Sequence, residues 1–82
     1  MKHARPDYDR IQDPAGKIPE DEPVFLIRGQ DRAGPETLEA WAYLAEREGA
    51  SAEIVKIVRD HAIAMREYQA VHGSKVPDLP SN

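Results

Sequence analysis

A two-residue link constrains this chain more than any other feature. Gly49-Ala50 separates two segments that each carry helix signals at both ends. In the first, Gly34-Pro35-Glu36 opens the helix, Pro35 suits the first helical position, and Glu36 and Glu39 favour the positive end of the dipole. Gly49 suits the exit. In the second, Ser51 is a good N-cap and Gly73 ends a run that reaches about His72. So short a connection forces the helices into a hairpin, antiparallel or steeply crossed.

The apolar spacing says which faces meet. Leu38, Trp41, Ala42 and Ala45 fall at i, i+3, i+4 and i+7, with Leu44 widening the face, and Trp41 is expected to be its largest packing element. In the second helix the stripe is Ile54, Ile57, Val58, His61, Ala64, Met65, Tyr68 and Val71, with Val55 and Ile63 off it. The helices span roughly 14 and 21 residues, or about 21 and 31 Å. About two turns of the longer one, carrying Met65, Tyr68 and Val71, should then overhang and need cover.

Residues 1–22 are polar and turn-rich, with Pro6, Pro14, Gly16 and Pro19 breaking any helical pattern, so they read as an irregular arm. Val24 to Arg28 reads as a short strand behind Pro23, apolar on both faces and therefore buried on both. A lone strand leaves its backbone groups unpaired. Its partner is the arm, or the same segment of another copy, or it is only an extended packing segment. The expected architecture is mainly α. An arm (1–22) precedes a core of one extended segment and a helical hairpin (23–72), and a tail follows (73–82).

Size then matters. Eighty-two residues make one small domain. The chain has no cysteine, so no disulfide or thiolate site reinforces the core. Too much apolar surface for one hairpin points to a homo-oligomer. The net charge of −4 argues against binding a nucleic-acid polymer, although a few converging arginines can still hold a small anion. No apolar run approaches a membrane span, and a cytoplasmic protein is expected.

The candidate site is Arg28-Gly29-Gln30-Asp31-Arg32, which sets guanidinium, amide and carboxylate groups beside the start of the first helix. Unpaired N–H groups and the dipole bind anions there. Arg28 or Arg32 would clamp a phosphate, Gln30 and Asp31 would read a base or ribose edge, and Tyr8, Tyr43 or Tyr68 would stack. The simpler reading has Asp31 capping the turn and Arg28 pairing with the Glu20–Glu22 run, with nothing bound. His61 reads as a core or interface residue, His72 as a C-terminal dipole partner, and His3 as tail. No metal site or cofactor is expected, and no nucleophile–base pair is visible, so an enzyme is not expected.

The stretch Tyr8-Asp9-Arg10-Ile11-Gln12-Asp13-Pro14, with Ile18-Pro19-Glu20-Asp21-Glu22-Pro23 and Phe25-Leu26-Ile27-Arg28-Gly29-Gln30-Asp31, resembles short, mostly uncharacterised bacteriophage and prophage proteins. The likeness runs on through Trp41 and Gly73-Ser74-Lys75-Val76-Pro77-Asp78. It implies a phage accessory protein in the cytoplasm of an infected or lysogenic host. Small phage proteins of this size include oligomers that sequester nucleotide second messengers of bacterial immunity, an analogy of size and context that transfers no residue. The expected function is therefore non-catalytic binding, most concretely capture of a cyclic or NAD-derived nucleotide. The alternatives are an oligomeric protein-interaction module, as inhibitor or assembly factor, and an enzyme acting through acids such as Asp31 or Glu36.

Overall fold

The structure is a computed structural model and describes residues 1–8 and 11–80. Its elements in chain order are β1 (Lys2–His3), β2 (Pro23–Val24), α1 (Gly34–Arg47) and α2 (Ala52–His72). They divide between two units, one comprising Met1–Ile27 with Pro80 and the other Arg28–Leu79. The division differs from the arm–core–tail reading at both borders. The extended segment up to Ile27 goes with the arm, and most of the tail goes with the hairpin.

In the first unit the arm supplies the strand's partner. β1 and β2 pair in parallel, Lys2 opposite Pro23 and His3 opposite Val24, with Lys2 N–H donating to Glu22 O at 2.7 Å and Ala4 N–H to Val24 O at 3.1 Å. The strand is shorter than Val24–Arg28 and is not buried on both faces: Phe25 stays 64 % exposed, while Val24, Leu26 and Ile27 are half-buried. Asp13 organises the loop between the strands, its carboxylate accepting from Lys17 N–H at 3.1 Å and Ile18 N–H at 3.0 Å. His3, read as tail, is half-buried in β1, and both of its ring nitrogens are buried without a hydrogen-bond partner.

The second unit is the hairpin. Ser51 caps α2, its Oγ accepting from Ile54 N–H at 3.3 Å. Gly49 turns the link at φ +90°, a backbone setting that a side chain would strain. The seam on α1 is Pro35, Leu38, Ala42 and Ala45; on α2 it is Val55, Val58, Ala62, Met65 and Gln69, all of them buried or half-buried. Steps alternating between three and four residues are those of a coiled-coil seam.

Three expectations therefore need correction. Trp41 is not the main packing element, being 48 % exposed, whereas Ala42 beside it is wholly buried. On α2 the buried residues include Val55 and Ala62, both outside the expected stripe, while Ile54, Ile57, His61, Ala64, Tyr68 and Val71 are exposed. The stripe is rotated by one residue, about 100° around the helix. Two ion pairs accompany this register. Glu39 pairs with Arg66, and Glu46 with Arg59 at 3.5 Å; each of these residues follows its seam position by one. Seven residues separate the two pairs on both helices, so the helices run antiparallel, with Leu38 and Met65, Ala42 and Ala62, and Ala45 and Val58 each within about 3 Å of one level. Met65, placed on the overhang by sequence, is buried in that seam.

Candidate functional site

The loop from Arg28 to Ala33 lies at the end of the hairpin where α1 begins and α2 finishes. Most of its backbone hydrogen-bonding groups are paired. Asp31 N–H donates to Arg28 O at 3.0 Å and Gly34 N–H to Asp31 O at 2.9 Å, which makes two successive turns into α1. The returning chain after α2 adds Arg32 N–H to Lys75 O at 2.9 Å and Lys75 N–H to Gln30 O at 2.8 Å, an isolated parallel bridge between Asp31 and Lys75. Gln69, the polar member of the α2 seam, donates through Nε2 to Gly29 O at 2.9 Å and to Asp31 O at 2.8 Å. One amide thus satisfies two half-buried loop carbonyls, which would otherwise cost desolvation energy.

The candidate groups are placed as follows. Asp31 Oδ1 accepts from Ala33 N–H at 2.8 Å, so this carboxylate caps the turn, as the simpler reading has it. Arg32 Nε donates to Ser74 Oγ at 3.2 Å. Tyr68 packs beside Gly29, where a Cβ would stand 3.8 Å from Tyr68 Cδ1, and stacks on His72 with ring centroids 4.3 Å apart. Gln30, Asp31, Arg32 and Tyr68 therefore share this end of the hairpin. Tyr43 does not join them. It follows Ala42 and lies on the ion-paired face with Glu39 and Glu46. Tyr8 belongs to the other unit, where the Arg5 guanidinium lies 4.3 Å over its ring and also pairs with Asp7 at 2.7 Å. Arg28 contributes its carbonyl to the first turn.

As an anion site the start of α1 is poor. Pro35 has no N–H, Gly34 N–H goes to Asp31 O, and Thr37 N–H goes to Ala33 O at 3.1 Å. Glu36 adds a negative charge in the first turn. Gln69, Ser74 and Lys75 were not anticipated. The available signal was Gln69 itself, a polar residue in register with Val55, Val58, Ala62 and Met65.

The hairpin's second notable surface lies one residue before the seam on each helix. Thr37, Trp41 and Leu44 of α1 and Ile54, Ile57, His61, Ala64, Tyr68 and Val71 of α2 are all exposed there. In an antiparallel pair these positions fall on the same side, opposite the Glu39–Arg66 and Glu46–Arg59 pairs. None of these nine residues is Asp, Glu, Lys or Arg. Among the described residues no group of three or more His, Asp or Glu side chains gathers to hold a metal ion, and no helix is long and apolar enough to cross a membrane. Comparison with family models, with curated proteins and with solved structures finds no match for this chain.

Proposed function

We propose that this protein acts by binding rather than by chemistry, as an oligomeric protein-interaction module of the inhibitor or assembly-factor kind. One observation carries the reading: a hairpin closed by ion pairs on one side leaves a continuous uncharged apolar face on the other. A mainly apolar patch at the upper end of what monomers expose is often a functional surface. At the loop end, by contrast, the carbonyls of Gly29, Gln30 and Asp31, the Arg32 N–H and the Arg32 Nε are taken up by Gln69, Lys75 and Ser74. Light scattering across a concentration series tests the reading. A mass above 9.2 kDa that falls on dilution is expected, and one chain per particle throughout would end it.

Capture of a cyclic or NAD-derived nucleotide is the second reading, in the cytoplasm of a phage-bearing host. What favours it is the gathering of Gln30, Asp31, Arg32 and the Tyr68–His72 stack at one end of the hairpin. A phosphate would meet the Nη groups of Arg32, whose Nε is held by Ser74, and a base would stack on Tyr68. Isothermal titration with cyclic dinucleotides and cyclic ADP-ribose isomers checks it: heat that is lost in Arg32→Ala is expected. Silence with the whole panel would remove it. Recovery of unchanged nucleotide after denaturation separates capture from turnover.

A further inference from the structure

We infer that the uncharged face receives a second copy of this chain, each α2 lying along the partner copy's α1 in an all-antiparallel four-helix bundle. The inference rests on the interaction-module reading and adds the occupant and its register. Area is the first argument. Trp41, Ile57 and Val71 are 48 %, 55 % and 78 % exposed, and Leu44, Ile54 and Tyr68 are each exposed by more than a third. Together they offer roughly 600 Å² per copy, near the ~800 Å² per partner of a standard interface and at the upper end of what a monomer exposes in one patch.

Shape is the second argument. In this hairpin Trp41 is level with Ala64, Leu44 with His61 and Thr37 with Tyr68, as the Glu39–Arg66 and Glu46–Arg59 pairs require. A two-fold axis parallel to the helices preserves those levels between copies. Trp41 of one copy then meets Ala64 of the other, and Thr37 meets Tyr68, a bulky residue against a smaller one in these two layers, with Leu44 and His61 of similar size between copies in the third. Such alternation fills a bundle interior evenly.

Charge decides between the two ways of facing copies. Glu53, Asp60 and Glu67 line the flank of α2 that points away from α1. With the two-fold axis perpendicular to the helices, α2 would meet its own copy and Glu53 and Glu67 would face like charges, Asp60 being paired with Lys56 at 2.6 Å. With the axis parallel, that flank meets the outer flank of α1, which holds Ala40 and Arg47. Arg47 is the sole basic residue of α1 and falls beside Asp60 of the partner copy. The uncharged centre sets no like charges in opposition, so self-association meets no electrostatic barrier there.

Because the chain has no cysteine, introduced thiols report position cleanly. The experiment mixes Arg47→Cys with Asp60→Cys protein and treats the mixture with a short bis-maleimide, alongside each variant alone. Cross-linked heterodimer is expected to exceed either homodimer several-fold. Asp60→Cys cross-linking to itself as efficiently would overturn the α2-to-α1 arrangement while leaving oligomerisation intact. A particle of one chain, by light scattering on the unmodified protein, would overturn both the arrangement and the reading it rests on. Ile57→Glu is the control for the face. It should raise the dimer dissociation constant at least about tenfold with helical circular dichroism retained, and an unchanged dimer would place the contact elsewhere.

Discussion

The two sides of the hairpin are built from the same two helices and differ in almost every property. On one side Glu39–Arg66 and Glu46–Arg59 tie α1 to α2 across the surface, while on the outer flank of α2 Lys56 pairs with Asp60 at 2.6 Å. On the other side stand Trp41, Leu44, Ile57 and Tyr68 with no charge among them. The ion-paired side is complete in a single chain. Exposed pairs of this kind contribute little energy; they mark the side on which the two helices are joined, opposite the apolar face.

The largest test of that contrast is in the seam. Met65→Ala should destabilise the fold by about 2–4 kcal/mol, read by chemical denaturation and unaffected by protein concentration. Trp41→Ala, although it deletes a larger side chain, should act mainly through concentration. Its melting temperature should match the parent's in dilute solution and fall behind as the protein is concentrated. An equal loss at every dilution would mean that Trp41 is a core residue after all. Gln69→Leu, which strands the Gly29 and Asp31 carbonyls, should cost about 1–3 kcal/mol and speed amide exchange in residues 29–34. His3→Leu relieves two buried nitrogens of their lost hydration and should stabilise by about 1 kcal/mol. Smallest of all, Glu39→Gln should change stability by less than ~1 kcal/mol, and less still at high salt.

Much of the architecture was legible. Ser51, Gly49 and Gly73 announce the helix ends through capping chemistry that depends on neighbours alone, and the link length dictates the hairpin. The rotation of α2 was not legible, for a definable reason. Its sequence carries two heptad-spaced stripes offset by one residue, Val55-Val58-Ala62-Met65-Gln69 and Ile54-Ile57-His61-Ala64-Tyr68-Val71. The second is longer and bulkier, so hydrophobicity favours it. Which stripe turns inward depends on how each fits the facing helix, and that is a tertiary property. The strand's partner was equally beyond local reasoning, since Lys2-His3 has no strand signal of its own. At the candidate site, the capping role of Asp31 followed from its position in a turn. The clamp by Gln69 did not, because it joins residues 38 and 40 positions apart.

The seam described above is also unusually thin. Two of its most buried members are the alanines 42 and 62, and Val55 and Met65 supply most of the rest. Melting one isolated chain would therefore hydrate little fresh hydrocarbon, and its heat-capacity increment should fall below the usual ~12–15 cal/mol/K per residue. A shallow stability curve follows, with slight dependence on temperature over the physiological range. Calorimetry at rising concentration should then show that increment grow, as each added contact between chains brings its own hidden hydrocarbon to the transition.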